Sequence, residues 1–449
     1  MSVETQSLDR VNGLIEKALK AGADAADSIY VEGTSLSMAC RKGAPEMLSR
    51  SEGYDLGLRV FVGQRQAMVS TSDFSDDAMN NLVERAVAMA RVVPEDPFCG
   101  LAPEDLLAQD VPDLDGCDPV EPSGDVLEQR AGEAEDAARS IKGVSNSEGA
   151  EASWGCNFVA LAASNGFCAT RAGSSHSLSV SVLAGEGTEM ERDYDYAVCV
   201  HAEDLPDAAE LGRSAGEKAV RRLNPKKMET SQVPVIFDPR VSNSLVRHLI
   251  GAINGVSVAR GTTFLKDKMG KRIFAEGTVV VDDPLRQRGL NSKAFDAEGV
   301  ATQTHNIIDD GILQSWILDL RSARQLGLET TGNASRGTSS APSPSATNVH
   351  LAPGSISRDA LIGDIKSGLY VTELIGMGIN GVTGDYSRGA GGFWIENGEI
   401  AFAVSELTIA GNLKQMFMNM TAADDLQFKF GTNAPTVRVD GLTVAGTSA

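Results

Sequence analysis

The chain has 449 residues, 42% of them hydrophobic and 5% aromatic, which is more apolar material than one core usually organises, so two or three domains are expected. Forty basic residues face sixty-one acidic ones for a net charge of −21, and no basic run offsets it, which argues against direct binding to nucleic acid or to an anionic membrane. The acidity reads as solubility rather than as a site for cationic substrates.

The opening residues, MSVETQSLDRVNGLIEK, contain no apolar signal core, and nothing later approaches a membrane-length apolar run; a cytoplasmic protein is expected. Six cysteines without C-x-x-C spacing read as reduced thiols. Leu8, Val11, Ile15, Ala18 and Leu19 make the apolar stripe of a first helix that Gly22 ends. SIYVEGTSLSMACRKG and YDLGLRVFVGQRQAMVST alternate apolar and polar residues, with turns at Lys42-Gly43 and Gly63-Gln64, as antiparallel strands do. Ser75 then caps a helix carrying Met79, Leu82, Val83, Ala86, Val87 and Ala90, stopped by Pro94. Residues 94–124 are rich in Pro, Asp and Gly and read as a connection. An alanine-rich helix from Val126 to Ile141 follows, then strands from Val144 to Val200 with an Asn165-Gly166 turn, then a helix from Asp204 to Leu223.

A strand from Val233 to Phe237 leads into a helix whose first residue is Pro239, where the missing N–H costs nothing. Its stripe is Val241, Leu245, Leu249, Ile250 and Ile253. Strands and loops dominate thereafter, with a hairpin at Asp310-Gly311 and a flexible Ser/Pro loop around Thr338 to Thr347. These shifts give domains at 1–120, 121–225 and 226–449. The fold class is α+β, an N-terminal α+β region with antiparallel strands, a central α/β segment and a largely β C-terminal domain rich in hairpins.

The densest signal lies between Gly376 and Leu413. Eight glycines fall between Gly376 and Gly398, too many for a helix, so the segment through Gly392 reads as loop. Asn397-Gly398 suits a type I′ turn that pairs Ile395 with Ile400, Phe393 with Phe402 and Glu396 with Glu399. Gly376-Met377-Gly378-Ile379-Asn380-Gly381 matches G-x-G-x-x-G, but no helical periodicity follows it, so dinucleotide binding is not expected. Asp385-Tyr386-Ser387-Arg388-Gly389 falls one residue short of a nucleophile elbow and likewise lacks its helix. Gly381 and Gly384 are the points at which the chain must bend, and either is a candidate for positive φ.

The runs VTGDYSRGAGGFWIENGEI, SELTIAGNL, FDAEGVAT, SARQLG and TTGNASRG resemble the TldD/PmbA family, in its PmbA (TldE) branch, described as modulator of DNA gyrase or TldD/TldE-like metallopeptidase. The likeness spans nearly all of the chain, more loosely before about residue 230. It implies a TldD-like chain as partner, or a homodimer, and unstructured peptides as substrates, with zinc in the TldD branch. That branch carries His-Glu-x-x-x-His on what corresponds to the helix from Pro239; here the segment reads Val246-Arg247-His248-Leu249-Ile250-Gly251, so the motif is absent.

Nor do other residues supply a metal site by spacing. His176, His201, His248, His305 and His350 are scattered, no cysteine follows Cys199, and Asp282-Asp283 and Asp309-Asp310 read as solvated turn carboxylates. No metal ligand, cofactor or catalytic residue is therefore assigned to this chain, and zinc is expected in the partner. Gly381, Gly384, Asp385, Ser387, Arg388 and Gly389 are the candidate substrate or interface loop, able to receive a peptide by β-augmentation if a strand edge is exposed there. The alternative is a self-sufficient homodimeric hydrolase using Ser387 with His305 or His350, or a metal held across the interface.

Overall fold

A computed structural model describes residues 3–446. Helix α1 (Val3–Lys20) leads into three antiparallel strands, β1 (Ala25–Arg41), β2 (Ala44–Val62) and β3 (Arg65–Thr71), and then α2 (Asp76–Val92). The two turns fall where expected, and Lys42, Gly43 and Gly63 have the positive φ that tight hairpins require. Ser75 accepts a hydrogen bond from the Ala78 amide as the α2 cap, and all six expected apolar residues of α2 are buried. On α1 the buried stripe is Val11, Leu14, Ile15 and Ala18, while Leu19 is exposed. After the connection come α3 (Gly124–Arg139), β4 (Val144–Ala163), β5 (Cys168–Ala184), β6 (Glu191–Cys199) and α4 (Ala208–Arg221).

The six strands form one sheet in the order β3-β2-β1-β4-β5-β6, so the segments on either side of the connection around residue 120 share a single hydrogen-bonded layer. Its two faces are sorted by the period of two along each strand. On β1, Ala26, Tyr30, Leu36 and Met38 face the helices, and on β4 Ala152, Trp154, Ala160 and Ala162 do the same. Ile29 on β1 and Val159 and Leu161 on β4 point the other way, against Phe295, Val300 and Leu320 of the C-terminal domain. The four helices thus cover one face and the C-terminal domain covers part of the other.

The C-terminal domain starts with β7 (Ser231–Phe237) and α5 (Pro239–Ala252). Strands β8 (Val280–Asp282), β9 (His305–Asp309), β10 (Ile312–Leu313), β11 (Ala334–Ser335), β12 (Ser343–Pro344) and β13 (Val349–Leu351) follow. Then come β14 (Ser367–Ile375), β15 (Asp385–Glu396), β16 (Glu399–Asn412), β17 (Met420–Ala422), β18 (Thr432–Asn433) and β19 (Val437–Ala445). One sheet runs β10-β9-β8-β13-β18; the other runs β16-β15-β14-β7-β19-β17, and an added β16–β19 pairing closes β16, β15, β14, β7 and β19 into a ring. The fold class is the expected α+β, with a β-rich C-terminal domain. Among the described residues no helix is long and apolar enough to cross a membrane.

Four expectations are corrected. Asp385 to Gly392 is strand, the first two thirds of β15, paired with β14 on one side and β16 on the other. Its glycines serve close packing rather than loop freedom: a Cβ on Gly392 would lie 2.0 Å from the Tyr370 carbonyl oxygen. The Asn397-Gly398 hairpin pairs Ile395 with Ile400 and Glu396 with Glu399 as read, but a register shift after Trp394 sets Phe402 opposite Trp394 and Phe393 opposite Ala403. The Ser/Pro stretch is anchored: Thr338 hydrogen-bonds Asp55, and the backbone there approaches Gly57 closely enough to leave no room for a Cβ. Asp282 is no solvated turn carboxylate; it is fully buried, accepting from Asn333 Nδ2 at 2.9 Å and from the Thr347 amide at 3.0 Å.

Candidate functional site

Helix α5 begins with Asp238, whose side chain accepts from the Arg240 amide, and with Pro239 in the first turn. Leu245, Val246 and Leu249 anchor it in the C-terminal core, which leaves His248 on the flank of the buried stripe. There its ring meets Tyr386 of β15 edge-on, with 5.9 Å between centroids. Along β15 alternate side chains take opposite faces: Tyr386 is buried, while Asp385 and Ser387 on either side of it are exposed. Arg388 shares the Tyr386 face and donates from Nη2 to the Leu374 carbonyl at 3.3 Å.

The electrostatics of this corner are uniformly positive. Burial, followed by the charges of Arg388 and Arg247, pushes the His248 imidazole down to about 4, and no acidic side chain opposes them. Burial also raises the Tyr386 phenol. His248 Nε2, Tyr386 OH and Arg388 Nε are buried and lack hydrogen-bond partners among the described residues. The imidazole is therefore neutral at pH 7 and sits beside guanidinium groups. Zinc needs several imidazole, thiolate or carboxylate ligands, and the residues here do not fit it: one imidazole, no carboxylate, and cations that repel a dication. Among the described residues no three or more His, Cys, Asp or Glu side chains come together as a metal-binding group.

This environment has a measurable consequence. Because the folded pKa of His248 lies below its ordinary 6.5, the unfolded chain binds more protons between pH 6.5 and about 4. Stability from this residue is thus complete above pH 6.5 and lost as pH falls toward 4, by roughly 2 kcal/mol after allowance for partial exposure. A His248→Gln variant is expected to show a flatter dependence of urea midpoint on pH across that window than the parent chain; parallel profiles would refute the assignment.

The glycine-rich turn between β14 and β15 is tied down by its own polar groups. Asn380 Oδ1 accepts from the Val382 and Thr383 amides, and Asp385 accepts from Thr383 Oγ1 at 2.6 Å and from Asn412 Nδ2 at 3.0 Å. Those two hydrogen bonds hold the Asp385 carboxyl below the usual range. Of the two glycines expected to bend the chain, Gly384 has φ +85°, whereas Gly381 is not left-handed and a Cβ added to it would have no neighbour within 4 Å. Ile375, Met377 and Val382 stand exposed around this turn, Met377 at 92%.

The serine constellation is not assembled. Ser387 is exposed on β15, and its Oγ bonds neither histidine among the described residues. His305 and His350 belong to the other C-terminal sheet, where His350 packs edge-on against Phe428 at 5.0 Å. Nor does β15 offer an edge for β-augmentation, since both of its edges are paired. The sheet edge at β6 is blunted instead, with Asp193 and Asp195 accepting from the amides of Tyr194 and Tyr196. Tyr386 does not stand out in the sequence, and only recognition of β15 as a strand would align it with Arg388 on one face.

The chain is thus a helix-backed antiparallel sheet joined to a domain whose second sheet closes into a β-ring, with α5 packed in that domain's core. Three family models match in succession: PmbA/TldA metallopeptidase domain 1 over residues 26–90, the central domain over 117–223 and the C-terminal domain over 230–446. The metalloprotease PmbA of Escherichia coli O157:H7 is 38% identical over 94% of this chain and 93% of its own length. The chain belongs to the PmbA/TldD family. In fold it resembles a Bacteroides thetaiotaomicron protein described as a putative modulator of DNA gyrase, with TM-score 0.90 and 25% identity over 99% of this chain and 100% of that one. It also resembles TldE from Thermococcus kodakarensis, with TM-score 0.86 and 21% identity over 97% of this chain and 100% of that one.

Proposed function

We infer that this chain is the non-catalytic, PmbA/TldE-like subunit of a cytoplasmic zinc-dependent peptidase that acts on unstructured peptides, with a TldD-like partner holding the zinc. One observation carries the reading: where the metal-bearing branch places its motif, α5 offers a single imidazole held neutral beside Arg388 and Arg247. Such a corner disfavours a dication and provides no carboxylate to activate water. The exposed Ile375, Met377 and Val382 support association, because apolar side chains clustered around a hydrogen-bonded turn suit a partner surface better than open solvent. In the absence of the partner the same surface would favour a homodimer.

The purified chain is expected to bind no stoichiometric zinc and to leave unstructured peptides intact, whereas mixing with a TldD-like chain yields cleavage. Elemental analysis of metal-replete protein combined with a peptide-hydrolysis assay tests this. About one zinc per chain, lost together with activity on chelation, would overturn it.

A further inference from the structure

A cavity of about 730 Å³ opens between the helix-backed sheet and the C-terminal domain; residues 170–175 of β5, residues 111–117 of the connection and residues 289–295 form its main walls. Arg171 and Lys293 both line it. The Arg171 side chain is solvent-accessible, yet no hydrogen bond or ion pair to its guanidinium occurs among the described residues. Lys293 donates only to the Ala334 carbonyl, at 3.1 Å.

The acids nearby are already engaged. Asp296 accepts from the amides of Ala334, Glu298 and Val300 at 2.9, 2.8 and 3.1 Å, and it lies within 4 Å of neither cation. Asp113, on the cavity wall, accepts from the Asp115 amide, and Asp115 is taken by Arg288 and His201. Two like charges therefore share one concavity with no carboxylate in contact with either, and Asp296 acts on both only at longer range. Their proximity shows in Lys293, which burial and then the charge of Arg171 bring down to about 8 against the pull of Asp296 and Asp282. At pH 7 it is still mostly protonated. The walls add polar side chains that have no partners among the described residues, those of Asn157, Ser175 and Ser335.

We propose that this cavity binds a carboxylate-bearing ligand, with Arg171 gripping the carboxylate by its planar fork and Lys293 supplying the second positive charge. An arginine fork matches a carboxylate bidentately, and a volume of this size accommodates a ligand of several residues or a small organic acid. The inference does not rest on the accessory-subunit reading, since it concerns the isolated chain without zinc or partner. Two sources of the carboxylate share this chemistry, a peptide C-terminus and a free dicarboxylic acid.

Isothermal titration of the whole chain with tetra-alanine, tetra-alanine amide and succinate distinguishes them. A carboxylate probe is expected to bind, and Arg171→Gln and Lys293→Gln are each expected to weaken it at least tenfold, with unchanged circular dichroism and melting temperature. Loss of binding on amidation identifies a peptide terminus as the source, while Arg171-dependent binding of succinate alone identifies a free acid. Absence of binding by both carboxylate probes, or binding that is indifferent to both substitutions, overturns the proposal. Should Lys293→Gln fold poorly, Arg171→Gln and Arg171→Lys decide the matter, because Arg171 makes no bond whose loss would unfold the chain; Lys at this position should restore charge without the fork and recover only part of the affinity.

Discussion

Asp27→Ala is expected to destabilise the chain by about 3–5 kcal/mol, because it strands two buried cations. Asp27, on β1, is 2% exposed; its Oδ2 accepts from Arg59 Nε at 2.7 Å, and its Oδ1 lies 2.5 Å from Arg336 Nη1. Burial by itself would raise the Asp27 carboxyl, but Arg336 and Arg59 outweigh it and hold the group below the usual range. Glu298 sits 3.8 Å from Arg59, but burial pushes its carboxyl well up, so it is a poorer counter-charge than Asp27. Removing Asp27 thus takes from Arg59 and Arg336, in the seam between the helix-backed sheet and the C-terminal domain, the carboxylate that both contact, and leaves only the more distant Glu298 beside Arg59.

The measurement is the urea midpoint at pH 7, with Arg50→Ala as a control at the exposed Arg50–Glu121 pair, where no resolvable change is expected. Asp27→Asn, which keeps shape and one acceptor, should fall between the two. A loss for Asp27→Ala of less than about 1 kcal/mol would mean that the buried network contributes no more than a surface pair does.

The second large effect lies in the glycines of the β14–β15 region, where three positions are expected to separate cleanly. Gly392→Val should cost about 3 kcal/mol or more, because its Cβ would meet the Tyr370 carbonyl oxygen at 2.0 Å and the Val371 Cα at 3.0 Å, all backbone that no rotamer change can move. Gly384→Val should cost about 1–3 kcal/mol through its φ of +85°. Gly381→Val should stay within about 0.5 kcal/mol, with neither strain nor a neighbour to meet. Equal costs at Gly381 and Gly384 would contradict this assignment of strain.

Activity separates the readings further. In a complex with a TldD-like partner, Gly384→Val should impair peptide cleavage by distorting the turn that carries Met377 and Val382, whereas Ser387→Ala should leave cleavage nearly unchanged. A Ser387→Ala chain that folds, pairs and yet loses all cleavage would remove the accessory-subunit reading.

Much of the local architecture is set by short-range chemistry and could be read directly. The 3.6-residue stripe of α2, its Ser75 cap, the turns at Lys42-Gly43 and Asn397-Gly398, and Pro239 at the start of α5 depend on neighbours within a few residues, so sequence alone determined them. The resemblance carried by VTGDYSRGAGGFWIENGEI pointed to the family, and the missing His-Glu-x-x-x-His on α5 was visible as spacing. What local chemistry does not contain is which surfaces meet. Glycine density predicted loop because its cost is intrinsic to an isolated segment, but Asp385 to Gly392 became strand once β14 and β16 paired with both of its edges and required the room that only glycine leaves. The same holds for the functional groups. Tyr386 beside His248, Asp27 between Arg59 and Arg336, and Arg171 sharing a cavity with Lys293 join residues more than a hundred positions apart in the first and third cases and at least thirty in the second, so their burial and charge were decided only when the domains packed.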